Sequence, residues 1–326
     1  YEFQKAIKKI KERGIIIVIL SKNNKSDVID VFKNHKSMAL KHKDITSYKV
    51  NWIEKSLNIK EVSKDLFLNT NSFVFWDDNA IERNKVKIKI KNIDVINPDK
   101  DVVNWPKQLM EYVGFSKFDI TREDTNKTVD YQKREKFVQE KKYSTNDVSY
   151  LKQLKIKPAL VKLSKSNISR AEQLNFKTNQ FNFNSKRLKA NELKLFDKKN
   201  FLRLIDLKDD YGEHGLIGMI FAKKEKNFLL IDNFLLSCRI LGRYLENWVL
   251  KEILKLSNQK NCDRIIFEYK KTNKNEVIHK FIKENNFKEI KNNFIYKILH
   301  LKKNRNTKYF ELNIKRKIKY LKIYER

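Results

Sequence analysis

The sequence is poor in glycine (6), proline (3) and cysteine (2) among its 326 residues, and poor in acid relative to base, with 40 Asp and Glu against 72 Lys and Arg. Two cysteines, Cys238 and Cys262, exclude a disulfide framework and suit a reducing cytoplasm, the expected location. Neither has the spacing of a metal ligand. No apolar run reaches membrane-spanning length, so no helical bilayer anchor is expected within the chain. The first residue is Tyr1, and the chain is expected to be a fragment or a processed product, so a missing targeting signal carries no weight.

A hydrophobic content of 40% over 326 residues is enough for a large core, and by length two domains are favoured over one. The formal charge of +32 would ordinarily point to nucleic acid or an anionic membrane surface. The excess is mostly Lys, spread along the chain beside abundant Asn and Ile. That distribution marks a bias in residue usage and not a designed patch, and no nucleic-acid motif accompanies it. A diffuse basic surface still favours acidic partners.

The order of segments predicts an α/β architecture. Tyr1 to Gly14 fits an amphipathic helix ended by glycine, and Ile15 to Leu20 is a β-rich run closed by the polar SKNN. SDVIDVFKNH and VNWIEKSLNIKEVSKDL read as further helices and FVFW as the next strand, the alternation of a parallel sheet. The strand expected ahead of Tyr1 is missing from this series. Residues 102–157 read as a polar helical connector. A second domain over 158–300 combines a helix (ISRAEQL), strands FLRLIDLKDD, GLIGMIFAKK and FLLIDNFLLSC, a helix (LENWVLKEILKLSNQ), strand CDRIIFEYK, helix EVIHKFIKENN and a last strand FIYKIL. Residues 301–326 form a basic extension.

FVFWDDNAIER carries the sharpest chemistry. Phe73 to Trp76 is a short run of the kind buried on both faces of a parallel sheet, and Asp77 and Asp78 follow at its carboxyl end, where open α/β sheets bind ligands. Two adjacent acids repel and resist burial unless a cation or donors offset them, which a divalent metal does most simply. Ser21, Asn23 and Asn24 end the first strand with hydroxyl and amide donors suited to phosphate, although Ser and Asn are as common in caps and turns. Lys55 lies on a helix whose apolar face is expected from Ile53, Leu57, Val62 and Leu66.

Taken together, VILSKNNKSDVIDVFKNH, KVNWIEKSLNI and FVFWDDNAIER resemble the FkbH-like family, in which a haloacid-dehalogenase (HAD)-type phosphatase domain is joined to an acetyltransferase-like GNAT domain. The second half supports this through AEQLNFKTNQFNF, DDYGEHGLIG, IDNFLLSCRILGRYLENWVL and KTNKNEVIHKFIKENNF, so the resemblance spans most of residues 1–290. It implies a HAD-like sheet lacking its first strand over 1–101 and a GNAT-like mixed α/β domain beyond the connector. It also implies that Ser21, Asn23 and Lys55 bind a transferring phosphoryl group and that Asp77 and Asp78 hold Mg²⁺. The family's nucleophilic aspartate, in an Asp-x-Asp-x-Thr strand, is expected ahead of Tyr1 and has no counterpart in the chain. A truncated enzyme and an inactive domain both fit that departure, and truncation is favoured because the binding residues remain.

In SCRILGRYLE the resemblance implies that Arg239, Gly242 and Arg243, with Asn273 and Asn275 further on, hold the phosphopantetheine arm of a carrier. The family's R-x-x-G-x-G pattern has Tyr244 at its last position here, which counts against coenzyme A binding of the usual kind. Cys238 precedes this turn and is a candidate acyl-accepting thiolate beside Arg239, with a buried structural thiol as the alternative. Cys262 and His214 read as structural, and Asn179 and Gln180 as turn or substrate-contacting residues. The function implied is dephosphorylation of 1,3-bisphosphoglycerate or a similar acyl phosphate and transfer of the glyceryl unit to an acyl carrier protein, in polyketide or surface-polysaccharide synthesis. The alternatives are an inactive carrier-binding scaffold and a nucleic-acid-binding protein.

Overall fold

A computed structural model describes residues 1–117, 120–285, 287–291, 306–313 and 323–324. The chain divides into two units, Tyr1–Tyr143 and Ser144–Arg326. The division falls inside the segment 102–157 expected as a connector, whose helices are therefore shared out between the units.

The first unit contains α1 (Glu2–Glu12), β1 (Val18–Ser21), α2 (Lys25–Asn34), β2 (Ser47–Val50), α3 (Lys55–Leu66), β3 (Val74–Trp76), α4 (Ala80–Lys89), β4 (Asp94–Ile96), α5 (Trp105–Glu111) and α6 (Arg122–Tyr143). β1 pairs in parallel with β2, and β3 in parallel with β4. The side chains of β1 and β3 alternate between two layers, as strand geometry requires. Ile15, Ile17, Val74 and Trp76 pack with Ala6 and Ile10 of α1 and Leu109 of α5. Ile16, Val18 and Phe73 face Val62 and Leu66 of α3 and Tyr131 of α6.

Two expectations are corrected in this unit. Val50 closes β2, so the expected helix over 50–66 begins only at Lys55. Its buried face is Ile59, Val62 and Leu66, whereas Ile53 and Leu57 are about half exposed. Ile53 lies in the loop before the helix, and Leu57 falls on the side opposite the Ile59–Val62–Leu66 stripe.

The second unit contains α7 (Asp147–Gln153), β5 (Lys157–Val161), α8 (Ile168–Lys177), β6 (Phe181–Asn182), α9 (Ala190–Lys199), β7 (Phe201–Asp209), β8 (Gly212–Glu225), β9 (Phe228–Leu236), α10 (Leu245–Gln259), β10 (Arg264–Lys270), α11 (Glu276–Glu284), β11 (Phe287–Glu289) and β12 (Thr307–Leu312). Seven strands follow one another in the order β11-β12-β10-β9-β8-β7-β5, with β6 paired to β9 beside them. β9 and β10 are parallel, while the other neighbours are antiparallel. Every residue of β9 is buried, which is why its sequence is a nearly unbroken apolar run and not an alternating one.

The segment 301–326 is not wholly an extension. Thr307–Leu312 is a strand between β10 and β11, held by the register Ile266↔Glu311 to Lys270↔Thr307 and by the Arg264–Glu311 ion pair at 2.6 Å. The expected strand FIYKIL lies outside the described residues. The class is thus mixed α/β, with parallel strand pairs in the first unit and a mixed sheet in the second.

Candidate functional site

In the first unit the candidate residues converge at the carboxyl ends of β1 and β3. Ser21 is the last residue of β1, and its carbonyl accepts from the Asn51 amide at 3.0 Å. Asn79 caps α4 through its side chain, accepting from the Ile81 amide at 2.8 Å, and this turn fixes the Asp77–Asp78 pair between strand and helix. Lys55, the first residue of α3, reaches across 22 residues of sequence to Asp77, with Nζ 2.5 Å from Oδ2. Asp77 Oδ1 accepts from the Asn79 amide at 3.0 Å. Asp77 is buried and Asp78 exposed. Arg83 closes the turn from behind, donating to the carbonyls of Asp77 at 2.7 Å and Asp78 at 2.8 Å.

A second ion pair spans the same edge. Lys22 Nζ lies 2.8 Å from Glu82 Oε1, and that hydrogen bond holds the Glu82 carboxyl below its ordinary range. Glu82 is buried, and its Oε2 has no hydrogen-bond partner. Sequence reasoning missed both residues. The available signal was their adjacency to Ser21 and Asp78, with Glu82 one helical turn beyond Asp78. Asn23 is exposed and engages only the next residue, its Oδ1 accepting from the Asn24 amide at 2.8 Å.

Among the described residues no group of three or more His, Cys, Asp or Glu side chains is arranged to hold a metal. The donor set is two hard carboxylates at a strand end, with a further unsatisfied carboxylate oxygen on Glu82. That set fits Mg²⁺, which takes one or two protein carboxylates and completes its octahedron with water and phosphate oxygens. Asp77 and Asp78 would hold it, and it would supply charge neutralisation of phosphate oxygens.

In the second unit the expected carrier-arm residues differ in setting, Arg243 and Asn275 being buried and Asn273 exposed. Arg243 is wholly buried, with Nε 3.1 Å from Asp209 Oδ2 at the end of β7. The other Asp209 oxygen lies 2.8 Å from His214 Nε2. Burial opposes ionisation of Asp209, but the His214 hydrogen bond and the Arg243 charge outweigh it and hold the carboxyl below its usual range. Arg243 therefore belongs to a buried ion pair behind the β7–β8 turn, which corrects its expected role as an anion ligand. Asn275 is likewise buried and spent on the backbone. It accepts from the Thr272 amide at 2.8 Å and donates to the carbonyls of Asn182 at 3.0 Å and Lys270 at 2.9 Å. Asn273 is exposed, and Asn179 Oδ1 accepts from Arg187 at 2.6 Å.

Cys238, Arg239 and Gly242 lie on the link between β9 and α10. Cys238 is half-buried and opens a short 3₁₀ turn, Cys238–Ile240. It lies six residues before Tyr244, the N-cap of α10, and α10 spans the expected helix LENWVLKEILKLSNQ. Burial pushes the Arg239 guanidinium down to about 10. Gly242 has φ +91° and Tyr244 φ +57°. The position where the family pattern has glycine thus keeps the left-handed backbone that favours glycine, and the Tyr244 hydroxyl donates to Asp147 at 3.4 Å. Cys262 is buried, and burial raises its thiol.

Where β9 and β10 part company, the protein fills the fork itself. Their ladder ends at Ile231↔Phe267. Beyond it β6 takes the place beside β9, and Phe183 bridges the two strands, its amide donating to Phe234 O at 3.1 Å and its carbonyl accepting from the Lys270 amide at 2.8 Å.

No family model matches the chain, and no curated protein matches it. Among solved structures it is similar to the N-terminal part of a Bacteroides fragilis protein containing a phosphatase domain complexed with Mg. The identity is 35% over 34% of this chain and 30% of that one, with a TM-score of 0.33. The chain therefore spans less than a third of that structure's length. It is also similar to a GNAT-family acetyltransferase from Staphylococcus aureus, at 11% identity and a TM-score of 0.36 over 48% of this chain and 100% of that one. An acetyltransferase from Streptococcus agalactiae matches at 10% identity and a TM-score of 0.38 over 49% and 98%. Among the described residues no helix is long and apolar enough to cross a membrane.

Proposed function

We propose that this chain is part of an FkbH-like enzyme. The first unit binds a small phosphorylated substrate with Mg²⁺, and the second passes an acyl group to the phosphopantetheine arm of an acyl carrier protein. The observation that carries the reading is the Lys55–Asp77 pair at 2.5 Å. It joins the lysine of the motif resemblance to the first of its paired aspartates at the carboxyl end of β3. A fixed ammonium and a pair of carboxylates that accept a divalent ion form a cradle for phosphoryl oxygens, because phosphoryl transfer depends mainly on positioning and charge stabilisation. The substrate proposed is 1,3-bisphosphoglycerate or a similar acyl phosphate. In the second unit Cys238, as thiolate, attacks the acyl carbon and releases phosphate, and the resulting thioester exchanges onto the carrier thiol.

The test uses Mn²⁺ as a spectroscopic stand-in for Mg²⁺. The protein is expected to bind Mn²⁺, and more tightly with inorganic phosphate present. Asp78→Asn is expected to lose that binding at least ten-fold without loss of fold, since Asp78 is exposed. Equal Mn²⁺ affinity in the variant sinks the metal-site reading.

A further inference from the structure

The turn from β9 into α10 is strained. Gly242 has φ +91° and Tyr244 φ +57°, so Arg243 stands between two residues in the left-handed region, one of them not glycine. Such a backbone is unfavourable for a residue with a Cβ and persists only where its surroundings over-determine it. Arg243 supplies part of that restraint, with Nε 3.1 Å from Asp209 Oδ2 and Nη1 donating back to the Arg239 carbonyl at 3.3 Å. The Leu241 amide donates to the Cys238 carbonyl at 3.3 Å. The backbone from Cys238 to Tyr244 is thus tied together, and a shift at Arg243 reaches Arg239 and the neighbouring thiol.

A further restraint comes from the carboxy-terminal segment. The Tyr324 hydroxyl donates to the Arg243 carbonyl at 2.6 Å, across 81 residues of sequence. Ile323 is buried beside it, and Tyr324 is half-buried. Burial pushes the Tyr324 phenol well above its ordinary range, so the hydroxyl keeps its proton and remains a donor.

The sheet does not deliver this contact. β12 runs from Thr307 beside Lys270 to Glu311 beside Ile266, so Leu312 lies towards the amino end of β10. β9 is parallel to β10, and Arg243 follows the carboxyl end of β9. Leu312 and Tyr324 therefore lie at opposite ends of these strands. Among the described residues neither Ile323 nor Tyr324 belongs to a strand. One hydrogen bond and two side chains, outside any ladder, can open locally while the sheet stays folded.

We propose that Ile323 and Tyr324 are a clamp on the Cys238–Tyr244 turn, which holds the strained backbone closed and limits access to the Cys238 thiol. Release of the clamp relaxes the turn and opens the thiol to an acyl donor and to a carrier arm. The clamp stands on these contacts alone, while its role in regulating transfer rests on the acyl-transfer reading.

The test is alkylation of the whole chain by iodoacetamide, with the rate read at each cysteine by mass spectrometry. Tyr324→Phe keeps the ring and removes the hydroxyl, and Tyr324→Ala removes both. Cys238 is expected to react at least three-fold faster in Tyr324→Phe and at least ten-fold faster in Tyr324→Ala. Cys262 is expected to stay unmodified, which marks an intact fold. An unchanged Cys238 rate in Tyr324→Ala, with Cys262 protected, overturns the proposal. If Tyr324→Ala exposes Cys262 as well, Tyr324→Phe decides: a faster Cys238 with Cys262 protected supports the clamp, and any other result overturns it. Incubation with 1,3-bisphosphoglycerate separates the two readings. Faster alkylation of the variants with no acyl adduct on any of the proteins keeps the clamp and removes the acyl-transfer reading, whereas an adduct with unchanged alkylation does the reverse.

Discussion

Arg243 and Asp209, 34 residues apart, form an ion pair in which both side chains are wholly inaccessible, with Nε 3.1 Å from Oδ2. A charge so placed is held by its partner and cannot be released cheaply. Asp209→Ala is expected to destabilise the second unit by about 3–5 kcal/mol, the usual cost of leaving a buried charge uncompensated. Urea unfolding followed by pulsed hydrogen exchange in β7 to β9 measures it. The pair also fixes an acid limb. The folded carboxyl of Asp209 lies below its unfolded value, so its contribution is fully present above about pH 3.9 and is lost as pH falls through the folded pKa. Asp209→Asn is expected to flatten that part of the stability profile, and an unchanged acid limb counts against the pair.

Lys55 is the charge closest to Asp77, and the proposed cradle needs it. Lys55→Met is expected to weaken inorganic phosphate binding roughly 10- to 100-fold, the value of a charge-assisted hydrogen bond of about 1.5–3 kcal/mol. Titration followed by ³¹P NMR reads the change. Retention of wild-type affinity would place the anion site elsewhere.

The two thiols differ in setting. Cys238 is half-buried on a turn, whereas Cys262 is buried, with its thiol raised by burial. Iodoacetamide at pH 8 is expected to modify Cys238 first and to reach Cys262 only on unfolding, because the thiolate is the reactive form. With 1,3-bisphosphoglycerate, a 3-phosphoglyceryl adduct is expected on the protein and none on Cys238→Ser, because thiolate attack on the acyl carbon releases only the acyl-bound phosphate. Mass spectrometry decides both, and an undiminished adduct in the variant removes Cys238 from the acyl route.

Gly218 tests the packing of β8 against β9. A Cβ there would stand 2.5 Å from Leu236 Cδ2, 2.9 Å from Ile205 Cδ1 and 2.9 Å from the Leu235 carbonyl. Since backbone cannot yield as a side chain can, Gly218→Ala is expected to cost about 1–3 kcal/mol. A melting temperature equal to the parent's would show that the β8–β9 ladder is looser than its register implies.

The sequence by itself determined the elements that local pattern specifies. Gly14, with φ +83°, ends the first helix region, and the apolar run of β9 marked a strand covered on both faces. The step from Trp76 into Asp77 and Asp78 announced a strand end. What it left undetermined depended on partners distant in the chain. Ser47–Val50 and Thr307–Leu312 are short, mixed-polarity segments that become strands because a neighbouring edge supplies the ladder, and no local period reports such an edge. Arg243 carries the same charge in an anion site as in a buried pair, and only the arrival of Asp209 beside it decides between the two. Lys55 was singled out by the motif resemblance, and only folding set it against Asp77.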